Sequence, residues 1–137
     1  MRVVGPRRAI NVKTQVYPGF PTDLQQPMSA LLTTARGTSI VQETIFEQRF
    51  RHLDEIRRMG AHVRVMERTA IIEGVPELYG APMTATDLRA GAALIIASLM
   101  ARGTSEIYEP GYIDRGYEHI EDKLRSLGAD IRREPVL

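Results

Sequence analysis

Ala35-Arg36-Gly37-Thr38-Ser39 occurs in the first half of the chain and returns unchanged as Ala101-Arg102-Gly103-Thr104-Ser105, at an offset of 66. Three shorter matches flank this pair. Thr22-Asp23-Leu24 returns as Thr86-Asp87-Leu88 at an offset of 64, Arg49 as Arg115 at 66, and Gly60-Ala61 as Gly128-Ala129 at 68. The matches are collinear, with small insertions between them. Chance can supply one such pair but hardly four in order, so the chain reads as two copies of one supersecondary unit, about 10–75 and 76–137.

The pattern within a unit gives its elements. Ile10, Val12, Thr14 and Val16 alternate and predict a strand. Tyr17-Pro18-Gly19-Phe20-Pro21 breaks it. Thr22 or Asp23 is expected to cap a helix through about Ala35, with Gln25 three residues past Thr22 as in a capping box. Pro27 should cost that helix some stability. Gly37 ends it, and 38–44 is a strand candidate. A second helix is expected from Phe50 to Met59, with Phe50, Leu53 and Ile56 on its buried stripe and Gly60 as a left-handed stop. Val63, Val65 and then Ala70-Ile71-Ile72 suggest a hairpin.

The second copy repeats the plan. Thr84 to Thr86 leads into a helix from Asp87 to about Ala101 that is apolar nearly all round and therefore expected to be buried. A strand follows near Glu106-Ile107-Tyr108. A helix from Tyr117 to Leu127 comes next, with Ile120, Leu124 and Leu127 spaced along one side and Gly128 as its stop. The order is βαβαββ followed by αβαβ, an α+β arrangement with helices on one face of a mixed sheet.

Composition narrows the function. The chain has 137 residues, 43% of them apolar, enough to build a core. Eighteen basic against 17 acidic residues leave a formal charge of +1, and aromatic residues make up 6%. Neither favours nucleic acid or a membrane surface as a partner. The absence of cysteine excludes disulfides, cysteine-rich zinc sites and a cysteine nucleophile within this chain. Met1 to Arg8 contains no apolar signal core, so a soluble cytoplasmic protein is expected. Lysine stands only at Lys13 and Lys123. The other basic residues are arginine, whose planar fork suits bidentate capture of carboxylate and phosphate.

Candidate chemistry sits at matched places in the two copies. Each has an acid at a helix start and an arginine just before the next helix: Asp23 with Arg49, and Asp87 with Arg115. Arg89 is added in the second copy. The bland alternatives are helix caps for the acids and surface ion pairs for the arginines. Symmetry-related loops converge on one face, however, and paired arginines there suit a substrate carrying phosphate and carboxylate. His52, His62 and His119 lack ligand spacing and read as helix-surface residues. Gly5, Gly19, Gly37, Gly103 and Gly111 read as turns or stops. Met28, Met59, Met66 and Met100 read as core filler, and Arg57-Arg58, Arg125 and Arg132-Arg133 as solvated faces. No P-loop or G-x-G-x-x-G is present.

At these residues the sequence resembles the C-terminal part of the UDP-N-acetylglucosamine 1-carboxyvinyltransferases, a family of enolpyruvyl transferases. The segments that carry the resemblance are Tyr17 to Gln25, Glu43 to Phe50, Met59-Gly60-Ala61-His62, Ala85 to Ala90, and Ile113 to Glu118 continuing through Lys123-Leu124. They run in family order from about Asn11 to Arg132. The resemblance implies an inside-out α/β barrel built of βαβαββ units, of which this chain holds about two, 1–137 being a partial domain. It also implies transfer of the enolpyruvyl group of phosphoenolpyruvate to the 3′-hydroxyl of UDP-N-acetylglucosamine, through a tetrahedral intermediate and with no cofactor or metal. In the family pattern Asp23 meets the sugar hydroxyl and is the proposed base. Ile45 lends main-chain contacts to the UDP-sugar, with Phe46 stacking nearby. Arg89 and Arg115 engage the phosphate and carboxylate of phosphoenolpyruvate, Arg115 as a catalytic group beside Asp23. Arg49 and Asp87 order the cleft. The family's remaining half supplies a cysteine acid and a Lys-Asn pair, so this chain is expected to be inactive alone, to need that half in cis or in trans, and to self-associate through uncovered edges. The alternatives are a non-catalytic binding module of the same fold and a fragment of the sister enzyme acting on shikimate 3-phosphate.

Overall fold

The computed structural model describes residues 7–47 and 49–135; the readings that fall on Met1 to Pro6 and on Gln48 lie outside them. In the first copy, β1 (Asn11–Lys13) leads through the 3-10 turn Thr22–Leu24 into α1 (Gln25–Leu32) and back to β2 (Thr38–Gln42). Then come α2 (Arg51–Arg57) and the hairpin β3 (His62–Met66) and β4 (Thr69–Glu73). The sheet order is β1-β2-β4-β3, with β1 parallel to β2 and the other neighbours antiparallel. The βαβαββ expectation therefore holds element by element. The register puts Val12, Val41 and Ala70, and likewise Ser39 and Ile72, on one face, and all five are buried. Asn11, Lys13, Arg64 and Glu73 point the other way. One covered and one wet face is what alternation predicts of a mixed sheet of this size. Leu53, Ile56 and Met59 of the α2 region are fully buried against this core, and Gly60 ends the helix at φ 98°.

The second copy opens with β5 (Pro82–Thr84), then α3 (Leu88–Met100) and β6 (Glu106–Tyr108), with β5 parallel to β6. β5 was not expected: three residues are too few to show alternation, and Pro82 can occupy only the start or edge of a strand. The expected helix Tyr117–Leu127 is shorter than predicted, and a second, unexpected helix lies before it. A short α4 (Gly111–Asp114) precedes a turn in which His119 takes φ 48°, and α5 (Ile120–Ser126) starts after it. Gly116 lies in this turn because a Cβ there would stand 2.5 Å from a methyl of Leu88. No strand forms after Gly128 among the described residues, so the second copy runs βαβα and stops. α3 is buried along most of its length, Leu99 on its outer side excepted.

Equivalence of the copies reaches individual hydrogen bonds. Arg36 donates its N–H to the Arg7 carbonyl and accepts from the Ala9 N–H, while Arg102 donates to Leu78 and accepts from Gly80. Ser39 Oγ accepts from the Ile10 N–H at 3.1 Å, and Ser105 Oγ accepts from the Ala81 N–H at 3.3 Å. Gly37 and Gly103 both have positive φ, 102° and 84°. The repeated pentapeptide is thus a helix-to-strand junction that stitches itself to the preceding parallel strand, which is why it recurs unchanged. A second motif recurs at an offset of 68. Arg57 donates to the Val63 carbonyl and pairs with Asp54; Arg125 donates to the Ile131 carbonyl and pairs with Asp122. Ile131 therefore stands where β3 begins in the first copy. Segment 130–135 stays without a strand partner because nothing among the described residues occupies the place of β4. Arg133 anchors it instead, forking onto Asp114 at 2.7 and 2.8 Å and reaching Glu121 at 3.0 Å. This corrects the reading of Arg133, Arg57 and Arg125 as merely solvated.

α1 and α3 lie side by side, and contacts between matched positions join them at both ends: Asp23 with Arg89 at their starts, Thr34 with Met100 at their finishes. The helices are therefore parallel and the two copies in register. Met66 is more than half exposed and is not core filler.

Candidate functional site

The starts of α1 and α3 carry the site. Arg89 Nε donates to Asp23 Oδ1 at 2.6 Å, a pair only partly shielded from water. Asp23 and Arg49, the acid and arginine matched within the first copy, form no ion pair with each other; Asp23 pairs across the copies instead. Asp23 does not cap α1 either, since that helix begins after Leu24 with no side-chain cap. Asp87 does cap α3, accepting the Ala90 N–H at 2.9 Å. Two acids matched by sequence thus have different tasks. A 3-10 turn ahead of α1 leaves Asp23 clear of the helix end, where it meets Arg89 instead of the backbone.

Arg115 closes α4, and its guanidinium lies 5.2 Å from the centre of the Tyr112 ring. Gly116 beside it packs on Leu88, and Ile113 packs on Gly91, so Arg115 sits against the first turn of α3. Neither Arg115 nor Arg49 makes an ion pair among the described residues. Arg49 stacks over the Phe46 ring at 4.2 Å, and its carbonyl accepts from Gln25 Nε2 at 3.3 Å and Gln26 Nε2 at 3.2 Å. The first turn of α1 thereby holds the loop that carries Ile45, Phe46 and Arg49. Ile45 and Phe46 are part-exposed beside it. All seven candidate residues are therefore gathered about the paired helix starts. A groove of about 570 Å³ lined by Arg57, His62, Arg64 and Glu73 shares no residue with them.

Two residues in the surroundings escaped the sequence reading. Glu43 is 1% exposed yet ionic, and five donors converge on its carboxylate. Oε1 accepts from Thr22 Oγ1 at 2.8 Å and Gln25 Nε2 at 3.3 Å. Oε2 accepts from Thr14 Oγ1 at 2.7 Å, the Ile45 N–H at 3.0 Å and the Phe46 N–H at 3.4 Å. Burial pushes this carboxyl upward, but the hydrogen bonds outweigh it and hold it below the usual glutamate range. The capping-box reading is corrected here, because Thr22 and Gln25 both turn to Glu43 rather than to the backbone of α1. Pro27 falls in the first turn of the helix as it forms, where its missing N–H has no intrahelical partner to lose, so the expected cost does not arise. No spacing rule marks Glu43; a polar Glu-Thr following a strand reads as its solvated end.

His52 is 1% exposed, not on a helix surface. Neither ring nitrogen has a hydrogen-bonding partner among the described residues. Burial pushes its pKa down to about 3, against the pull of Asp87 and the Arg49 carbonyl, so the ring is neutral at pH 7. His62 and His119 are exposed, as expected, but on strand β3 and in the turn before α5 rather than on a helix surface.

The chain is similar to known proteins over nearly its whole length. Residues 4–124 match the family model of EPSP synthase (3-phosphoshikimate 1-carboxyvinyltransferase). The chain is 61% identical over 129 residues to UDP-N-acetylglucosamine 1-carboxyvinyltransferase of Clostridium botulinum, covering 94% of this chain and 31% of that protein. It is 56% identical over 135 residues to the protein of the same name from Desulfofundulus thermocisternus, covering 98% of this chain and 56% of that one. Among solved structures, the enolpyruvyl transferase NikO of Streptomyces tendae superimposes with a TM-score of 0.85 at 30% identity, over 95% of this chain and 30% of that one. EPSP synthase from Acinetobacter baumannii, at 21% identity and a TM-score of 0.69, shares the fold. The chain spans about three-tenths of the length of the Clostridium relative. Among the described residues, no helix is long and apolar enough to cross a membrane.

Proposed function

The chain belongs to the EPSP synthase family, and on that premise we propose that it is the C-terminal, site-bearing portion of a UDP-N-acetylglucosamine 1-carboxyvinyltransferase. The observation that carries the proposal is the Asp23–Arg89 pair across the repeat, in a chain 61% identical to a transferase of that name. In the proposed reaction the 3′-oxygen of the sugar adds to C2 of phosphoenolpyruvate. Its proton passes to a base and the C3 carbon is protonated, giving a tetrahedral intermediate. Loss of a C3 proton then expels phosphate and leaves the enol ether.

This chain's residues fit defined parts of that sequence. Asp23 is the acceptor for the hydroxyl proton, at hydrogen-bond reach once the sugar is bound. Arg89 binds Asp23 through Nε alone, which leaves its Nη fork for an anion among the described residues. Arg115, whose guanidinium lies over the Tyr112 ring and makes no ion pair among the described residues, is the second anion donor. Arginines positioned before the substrate arrives act on the charge that develops in the intermediate without reorganising. Ile45 and Phe46 supply the sugar-nucleotide side. The Ile45 amide already donates to Glu43, so its main-chain contact with substrate falls to the carbonyl. Arg49 and Asp87 brace the loops around this centre. The proton for C3 comes from the remainder of the enzyme, since this chain has no cysteine. The partners are thus phosphoenolpyruvate, the UDP-sugar and the complementary portion of the protein, and the setting is cytoplasmic synthesis of peptidoglycan precursors. The unfilled place beside β6 supports self-association of the chain when that portion is absent.

The test is phosphate release from phosphoenolpyruvate with UDP-N-acetylglucosamine, for this chain alone and mixed with a complementary N-terminal portion. Release is expected only in the mixture, and is expected to vanish with Asp23→Ala or Arg115→Ala. Release with shikimate 3-phosphate in place of the UDP-sugar would instead assign the sister reaction.

A further inference from the structure

Glu43 does more than satisfy a buried loop. Its two oxygens face different parts of the candidate site. Oε1 holds Thr22, which precedes Asp23 in the 3-10 turn, and Gln25 in the first turn of α1. Oε2 holds the amides of Ile45 and Phe46, together with Thr14 at the end of β1. Thr14 in turn accepts the Thr44 N–H at 2.8 Å, and the Thr44 hydroxyl donates to the Thr14 carbonyl. One rigid carboxylate therefore spans the turn that carries Asp23 and the loop proposed to meet the sugar nucleotide. We propose that Glu43 is a positioning residue that sets the distance between Asp23 and the Ile45–Phe46 main chain, and so aligns the sugar hydroxyl with its base. This deepens the function proposed above and rests on it.

The chemistry requires an acceptor-only group. The Ile45 and Phe46 amides can only donate. Gln25 cannot turn its amide over, because its Oε1 accepts from Ser29 Oγ at 2.8 Å while its Nε2 also donates to the Arg49 carbonyl. A glutamine at position 43 would therefore set an NH2 against another donor on one side or the other. Its oxygen satisfies the larger number of fixed donors by facing the loop, so the Thr22–Gln25 side is the one that loosens. None of the groups facing the carboxylate titrates. The charged side chains on the elements around it are Lys13 on β1, Asp23 on the turn, Glu47 and Arg49 on the loop, and Arg68, which pairs with Glu47 at 3.0 Å.

The experiment uses the 15N-labelled chain, titrated with UDP-N-acetylglucosamine in a mixture with the unlabelled complementary N-terminal portion and, separately and alone, with acid. In the wild type the Ile45 and Phe46 amide protons should follow one acid titration with a midpoint below the usual glutamate range. In Glu43→Gln that titration should vanish, and affinity for the sugar nucleotide should fall about tenfold while the fold persists. Thr22→Val, which removes one neutral bond to Oε1, should also weaken affinity and should leave the amide titration in place. A Glu43 that merely stabilises the fold would lower the urea midpoint of both variants with unchanged affinity, and that result overturns the inference. If Glu43→Gln does not fold, Thr22→Val decides alone: wild-type affinity in that variant overturns it. A wild-type chain that binds no sugar nucleotide even in the mixture refutes the function proposed above and the substrate half of this inference. A wild type that binds while both variants bind equally well refutes this inference alone.

Discussion

Lowering the pH from 7 to 5 should destabilise this chain through one side chain. His52 has its pKa pushed from 6.5 to about 3 by burial. An unfolded chain protonates this histidine below about pH 6.5, while the folded chain keeps it neutral, so the unfolded state binds more protons and stability falls with pH. The contribution is whole above 6.5 and is lost as pH falls from there toward 3. Each unit of difference is about 1.36 kcal/mol, so at pH 5 the loss is roughly 2 kcal/mol. That is a large part of a marginal stability. His52→Leu removes the titration at similar volume and also removes two buried ring nitrogens. Urea unfolding followed by circular dichroism at pH 7, 6 and 5 gives the stability difference between variant and wild type. Carboxylates common to both cancel. The difference should move in favour of the variant by roughly 2 kcal/mol between pH 7 and 5. A difference constant to within about 0.5 kcal/mol would refute the reasoning, since it would mean that the histidine is hydrated in the folded chain.

Asp23→Asn in the reconstituted enzyme should lower phosphate release by a factor on the order of 10² or more with a smaller change in apparent substrate affinity, read from kcat and KM separately. Gly74→Ala places a Cβ 1.6 Å from the Ala35 carbonyl oxygen, which is backbone and cannot swing away. It should cost about 3 kcal/mol or more in urea unfolding, whereas Gly111→Ala, with nothing within 4 Å, should be near neutral. Leu94→Ala, in the fully buried centre of α3, should cost about 2–5 kcal/mol by the same assay. Light scattering at rising concentration should show mass above the monomer, through the open side of β6 and the α5 stripe that leaves Leu127 83% exposed; a monodisperse monomer at high concentration would contradict this.

The repeat was the most legible feature, because a junction that ties its own backbone to the preceding strand tolerates few substitutes, and so Ala-Arg-Gly-Thr-Ser recurs letter for letter. Helix stops at Gly37, Gly60, Gly103 and Gly128 were legible for a related reason: left-handed backbone favours glycine locally, whatever surrounds it. The seven candidate residues were found from their matched positions and the family pattern, but their partners were not. Asp23 and Asp87 look alike in sequence, and only the 3-10 turn before α1 separates a carboxylate paired across the repeat from a helix cap. Glu43 and His52 gave no periodic signal, since burial of a single polar side chain depends on elements far away in the chain.

Sequence by itself determined the unit, its strand and helix periods, its turn glycines and the residue types available for anion binding. These are consequences of local backbone preference and of side-chain spacing along one element. Tertiary structure alone decided that α1 and α3 lie parallel, so that Arg89 of one copy reaches Asp23 of the other. It also decided that Thr14, Thr22, Gln25 and two loop amides meet on one carboxylate, and that segment 130–135 goes without the strand its counterpart pairs with. Apart from the two loop amides, which are neighbours of Glu43 in the chain, these depend on contacts between residues 18 to 66 positions apart or on a strand missing among the described residues, and no local pattern encodes either.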